Sequence, residues 1–319
     1  MIHPNFFIIG AAKTSTTTLH GILDNHPDIF VSEEKEPEFL ARDDRYAEGL
    51  DEYLKLFEGA KPGQMVGEAS VIYSMAPLFP KTAERMKAHF PDAKIIYIMR
   101  DPTDRAYSFY GHLIKAWQRH HHRYEVHRTF EEFVLEEAHA NAAPRDMVLS
   151  AANDHWPDTT ELCLVGSEYA TQIEAYLEHF DRSQMLFLKF EDFIARQDWF
   201  LRQVTDFLGV SPITDHVALE ELKALNMASQ HHEMVAEVRA IGKLKETLAP
   251  VWGLRKVVPS SVRAALKPAV AERIEVEEDH VPPPMLPETR AMLDARFKKQ
   301  KSRLEELTGL DFSDWKAFA

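Results

Sequence analysis

Apolar residues along this chain fall into two patterns. Short continuous runs, Phe6-Phe7-Ile8-Ile9, Ile95-Ile96-Tyr97-Ile98-Met99 and Met185-Leu186-Phe187-Leu188, lack the alternation of a half-exposed strand. Such runs belong to strands covered on both faces, as in a parallel sheet. Between them apolar residues recur every three or four positions, the period of a helix with one buried face. Leu19, Ile22 and Leu23 mark a first helix, stopped at His26-Pro27 because the residue before a proline is pushed out of helical geometry. Leu50, Leu54 and Phe57 mark a second, ending near Gly59, and residues 79–90 a third. Asp101-Pro102-Thr103 opens another, with proline at an early helical position where its missing N–H is not needed, and Ala106, Phe109, Tyr110 and Leu113 carry it on. Residues 168–180 form an amphipathic helix, and Phe200, Val204, Phe207 and Leu208 mark one that stops at Gly209. Beyond about residue 215 the pattern is mostly helical. A proline-rich connector (Pro282-Pro283-Pro284 and Pro287) precedes a charged helix over residues 288–307.

Strands alternating with helices predict an α/β fold, a central parallel sheet flanked by helices on both faces. The 319 residues read as one domain, an α/β core over 1–215 and a mainly helical C-terminal extension over 216–319. With 45% hydrophobic and 28% charged residues the composition is that of a globular protein. Its 37 basic and 51 acidic residues leave a net charge of −14, so nucleic acid and anionic membranes are not expected partners. No apolar run approaches the roughly 18 residues of a membrane span. The lone Cys163, in Leu162-Cys163-Leu164-Val165, excludes an intrachain disulfide and is expected in the core. No basic leader precedes residues 6–9, and the expected compartment is the cytoplasm.

Chemistry concentrates after two strands. In Gly10-Ala11-Ala12-Lys13-Thr14-Ser15-Thr16-Thr17-Thr18-Leu19, small residues let the backbone curl so that its N–H groups and the positive end of the next helix face one anion. Lys13 adds a full charge, and Thr16 and Thr17 add hydroxyl donors. A nucleoside-triphosphate loop needs glycine directly before a lysine at its far end; here Ala12 precedes an early Lys13. The strand at residues 95–99 ends in Arg100-Asp101-Pro102, with Ser108 on the following helix. Arg100 thus sits beyond the carboxyl end of a strand, where α/β sheets bind ligands, and its fork suits phosphate. Asp101 has the place of a magnesium-holding acid, which keeps a P-loop kinase with an atypical loop open as an alternative. Taken one at a time, each segment also reads as an ordinary turn with an exposed lysine or a local ion pair.

Together these segments resemble the sulfotransferases that use 3′-phosphoadenosine 5′-phosphosulfate (PAPS), in the branch of the heparan sulfate N- and 3-O-sulfotransferases and their bacterial relatives. Residues 6–19 resemble the family's 5′-phosphosulfate loop and residues 95–110 its 3′-phosphate segment, with Arg100 and Ser108 at the family's spacing. His26-Pro27, Lys35-Glu36-Pro37-Glu38-Phe39-Leu40, the stretch from Gly166 to Tyr169, Phe187-Leu188-Lys189-Phe190-Glu191-Asp192 and Phe207-Leu208-Gly209 extend the resemblance from about residue 5 to 210. Three departures stand out: Ser15 replaces the usual glycine, Ala69 stands where the heparan enzymes carry a second lysine, and no adenine- or acceptor-contacting loop aligns after residue 215.

The resemblance implies a PAPS donor, a PAP product and no required metal. The donor would be held by Ala12, Lys13, Thr14, Ser15, Thr16, Thr17 and Thr18 and, at its 3′-phosphate, by Arg100 and Ser108. Lys13 and Glu36 are the implied catalytic pair, with Glu36 as the base that activates a small-molecule or glycan acceptor. By composition alone Glu33-Glu34-Lys35-Glu36 is a solvated charged run; Glu68 is a second carboxylate of interest. A non-catalytic PAP-binding protein on the same fold is the remaining alternative. His120-His121-His122 and His231-His232 lack metal-ligand spacing. Trp117, Trp156 and Trp252 are expected to pack, and Glu275-Val276-Glu277-Glu278-Asp279 to be a solvated loop.

Overall fold

A computed structural model of the chain describes residues 2–119, 129–134, 160–213 and 283–319. These belong to one compact unit, built from Met1–Ala218 and Val281–Ala319. The histidine clusters, Trp156, Trp252, the 275–279 run, most of the 216–319 extension and the side chain of Trp117 lie outside the described residues.

Five strands, β1 (Phe6–Gly10), β2 (Ile29–Val31), β3 (Met65–Ala69), β4 (Lys94–Met99) and β5 (Met185–Lys189), form one all-parallel sheet in the order β2-β3-β1-β4-β5. The three apolar runs of the sequence are β1, β4 and β5. Phe6, Phe7, Ile95, Ile96 and Tyr97 are fully buried, as a sheet covered on both faces requires. Each large apolar side chain so removed from water contributes about 1.5–3 kcal/mol. β2 and β3 were not predicted. β2 has only three residues, and Gly67 and Glu68 interrupt the apolar run of β3.

The described helices of eight or more residues are α1 (Thr16–Leu23), α2 (Thr82–His89), α3 (Pro102–Arg119), α4 (Tyr169–Leu177), α5 (Gln197–Leu208), α6 (Pro287–Phe297) and α7 (Lys301–Thr308). Gly209 ends α5 in left-handed geometry, φ 80°, and its N–H returns to the Thr205 carbonyl at 2.8 Å. The single charged helix expected over 288–307 is two helices, separated by a tight turn at Lys298–Gln300. The chain then folds back into the core. Phe312, Trp315 and Phe318 are buried, with the first two rings 4.4 Å apart.

Because β1 lies between β3 and β4, the carboxyl ends of these three strands stand side by side. The loops leaving them are residues 10–15, 70–74 and 100–101, and two of the three are the segments singled out by sequence.

Candidate active site

The loop after β1 is closed from within. Thr14 is buried and its Oγ1 donates to the Ala11 carbonyl at 2.7 Å, while the Ala11 N–H bonds to the Ile98 carbonyl of β4 at 2.7 Å. Ala12 is buried, Lys13 and Ser15 are half-buried, and both of the latter have positive φ, 74° and 64°. Ser15 thus adopts the left-handed conformation that glycine reaches freely. Thr16 is buried at the start of α1, Thr17 is exposed and Thr18 half-buried. The first turn of α1 carries no acidic residue and Ser15 makes no side-chain cap, leaving its positive end open to an anion. Gly10 has φ 147°, and a Cβ there would lie 2.6 Å from Ser74 Oγ, so only glycine lets the loop pass the Val71–Ser74 turn.

Arg100 joins the second segment to the first. Its Nη1 donates to the Lys13 carbonyl at 3.3 Å, and its guanidinium lies over the Phe190 ring, 4.7 Å from the centroid. Its backbone is fixed by Tyr169, whose hydroxyl donates to the Arg100 carbonyl at 2.8 Å. Ser108 is half-buried, two turns along α3. Asp101 is a cap rather than a metal ligand. Its Oδ1 accepts the N–H groups of Thr103 and Asp104 at 3.1 and 3.0 Å, and its Oδ2 accepts that of Ala317 at 3.0 Å. Burial raises the Asp101 carboxyl above the usual carboxylate range, against the pull of these N–H donors. The acid that a P-loop kinase reading relied on is therefore already engaged by backbone.

Glu36 lies at the end of β3, not in a solvated run. Its N–H donates to the Ala69 carbonyl at 3.0 Å, its Oε2 accepts the Val71 N–H at 2.7 Å, and Oε1 pairs with Lys35. Val71 opens the turn that packs on Gly10, so Glu36 and the phosphate-type loop share one support. Glu36 and Glu38 also hold positive φ, 62° and 59°. Phe39 is buried and stacked on Tyr53, centroids 4.3 Å apart, which makes it core.

Behind Glu36 is a buried hub that sequence reasoning only partly foresaw. Glu68 is fully buried. Tyr53 and Tyr73 hydroxyls donate to its Oε1 at 2.8 and 2.7 Å, and Ser70 Oγ donates to Oε2 at 2.7 Å. The same Ser70 and Tyr73 oxygens accept the N–H groups of Glu38 and Leu40, each at 3.2 Å, tying the 36–40 segment to the hub. Burial pushes the Glu68 carboxyl up to about 7, with the hydroxyl donors opposing and the Glu36 charge adding. Tyr169, Glu191 and Trp315 support Arg100. Tyr169 and Glu191 lie in segments of the family resemblance but had no role assigned, and Trp315 carried no sequence signal.

A family model described as a sulfotransferase domain matches residues 3–274. The chain belongs to the sulfotransferase family. Bifunctional heparan sulfate N-deacetylase/N-sulfotransferase 4 of Mus musculus is 31% identical over 221 residues, 66% of this chain and 22% of that protein. Bifunctional heparan sulfate N-deacetylase/N-sulfotransferase 1 of Xenopus laevis is 31% identical over 219 residues, 67% of this chain and 23% of that protein. This sulfotransferase-family chain thus spans about a fifth of the length of these curated relatives. The crystal structure of a sulfotransferase from Alicyclobacillus acidocaldarius covers 99% of this chain and 100% of its own, with TM-score 0.64 and 27% identity.

Proposed function

We propose that this chain transfers the sulfuryl group of PAPS to a hydroxyl or amine of an acceptor, releasing PAP. The supporting observation is the bond from Arg100 to the Lys13 carbonyl, which joins two cationic, phosphate-suited segments at adjacent strand ends. One segment suits the 5′-phosphosulfate and the other the 3′-phosphate that distinguishes PAPS from ATP-type donors. Loop N–H groups, the α1 N-terminus and the Thr16 and Thr17 hydroxyls hold the 5′-phosphate; Arg100 and Ser108 hold the 3′-phosphate. The acceptor oxygen or nitrogen attacks sulfur, the bond from sulfur to the bridging oxygen breaks, and Lys13 stabilises the charge left on that oxygen. Glu36 takes the acceptor proton, held in place by the Val71 N–H. A saccharide, glycolipid or small alcohol is the acceptor class this reading favours, and the cytoplasm its compartment.

Calorimetry with PAP and 5′-AMP, alongside transfer of label from ³⁵S-PAPS to an acceptor panel, tests the reading. PAP should bind far better than 5′-AMP, and Lys13→Ala should lower turnover by roughly 10²–10³-fold while weakening PAP binding less. Equal affinities sink the 3′-phosphate assignment; PAP binding with no transfer to any acceptor leaves a nucleotide-binding protein; wild-type turnover in Lys13→Ala removes that lysine from the chemistry.

A further inference from the structure

Residues 283–319 lie beyond the 3–274 match to the family model, yet they reach the strand ends that flank Arg100. Lys189, the last residue of β5, donates its Nζ to the Asp311 carbonyl at 2.9 Å and to Asp314 Oδ1 at 2.7 Å. Two residues on, Glu191 accepts at both oxygens: Oε2 from Trp315 Nε1–H at 3.0 Å, and Oε1 from the backbone N–H of Asp101, also at 3.0 Å. The Asp101 carboxylate in turn accepts the Ala317 N–H at 3.0 Å. Trp315 also packs on Tyr169, ring centroids 5.9 Å apart, and Tyr169 holds the Arg100 carbonyl. The first turn of α3 is held from the same side, Thr103 Oγ1 donating to Asp294 Oδ1 at 2.6 Å and Arg290 pairing with Asp104.

The pattern is specific. Trp315 is almost fully buried and spends its one polar atom on Glu191, which in turn spends its second oxygen on the peptide N–H just after Arg100. A buried indole N–H needs some acceptor for packing alone; here that acceptor is the same carboxylate that holds the Asp101 peptide. Carboxylate acceptors make both links stronger than neutral ones, and losing one donor leaves an oxygen of the half-buried Glu191 without its protein partner.

We propose that Trp315 is a positioning residue of the donor site: through Glu191 it fixes the Arg100–Asp101 peptide, and so sets the preference for a nucleotide bearing a 3′-phosphate. This rests on the donor reading above. Trp315 is assigned an indirect role. It acts through Glu191 and Tyr169, with the Ala317 N–H holding the same peptide from the Asp101 side chain.

The test uses the full chain and two probes, PAP and 5′-AMP, titrated by calorimetry. Trp315→Phe keeps a ring against Phe312 and Tyr169 but deletes the N–H. PAP affinity should fall about tenfold, 5′-AMP affinity should stay within about twofold, and the KM for PAPS should rise more than kcat falls. Glu191→Gln is the second variant. Facing N–H groups from both sides, its amide cannot accept from both, so it should show the same selective loss. In the double variant the amide has only the Asp101 N–H to meet, so the two losses should not add. A wild type that prefers PAP, together with folded variants that keep that preference or lose both ligands equally, overturns the positioning role alone. A wild type that binds the two nucleotides alike overturns the donor reading and this proposal together.

Discussion

Four non-glycine residues among those described hold left-handed backbone: Lys13, Ser15, Glu36 and Glu38. Each such conformation costs about 1–2 kcal/mol relative to the ordinary helical well. All four lie on the two segments that sequence marked for catalysis, which is where a protein keeps strain that its surroundings enforce. Only Ser15 was readable in advance, as the residue standing in a glycine's place; nothing in the identity of a lysine or glutamate announces a positive φ. Glu36 shows the reverse limit. Its neighbours Glu33, Glu34 and Lys35 describe a solvated run, and only the Val71 N–H and the Ala69 carbonyl reveal a fixed carboxylate. Glu68 carries a pH signature. Its carboxyl ionises near 4.5 when unfolded and is pushed up to about 7 by burial when folded. Between those values the folded state keeps a proton the unfolded state has released, so stability falls as pH rises across that window. The loss is about 3 kcal/mol over the whole window. Denaturant titrations at pH 5 and pH 8 should show wild type losing about 2–3 kcal/mol more than Glu68→Gln between the two. Parallel losses in both proteins mean that Glu68 does not titrate in that range.

At the scale of elements, continuous apolar runs exposed β1, β4 and β5 because both of their faces are covered. β2 escaped notice because it has only three residues, and β3 because its residues do other work. β3 carries Glu68 for the hub and Gly67 for close approach to β1, so its apolar pattern is broken in the middle. In the β1–β3 register Phe6 faces Gly67, and a Cβ there would lie 2.4 Å from the Phe6 carbonyl oxygen and 2.6 Å from its ring. Neither the backbone oxygen of a central strand nor a fully buried ring has room to move. Gly67→Ala should therefore destabilise the protein by about 1–3 kcal/mol, the usual range for overpacking, read as a lowered denaturant midpoint with unchanged slope. An unchanged midpoint means the two strands lie further apart than this register requires. Helix α3 was foreseen from its start at Asp101-Pro102 and its apolar face through Leu113, but the partners of Asp101 were not. That Asp101 caps the helix with one oxygen and binds the chain's last turn with the other depends on residues 216 positions apart. No local pattern carries a contact of that range. The break at Lys298–Gln300 is similar, since charged residues of good helical propensity run through it.

For the molecule as a whole, the balance of charge sets what approaches the site. The donor segments are cationic at Lys13 and Arg100, but they sit in a chain of net charge −14, with Glu36 at the end of β3. The curated relatives carry heparan sulfate in their names, and the family resemblance implies that Ala69 of this chain stands where that branch has a second lysine. On that reading a polyanionic acceptor meets a chain of net charge −14 with one fewer cation, and its encounter rate should be depressed by repulsion. A neutral or lightly charged glycan or alcohol meets no such barrier. The two cases differ in sign with salt. Screening over a Debye length of about 8–10 Å near physiological ionic strength relieves like-charge repulsion, so turnover of a heparan-type acceptor should be slow and rise with salt. Turnover of a neutral saccharide should be faster and nearly flat. Initial rates of ³⁵S transfer at saturating PAPS, at low and physiological salt, separate them. Preferred turnover of the polyanion, with rates that fall steeply as salt is added, would show a local basic groove strong enough to overcome the net charge and would overturn the neutral-acceptor assignment.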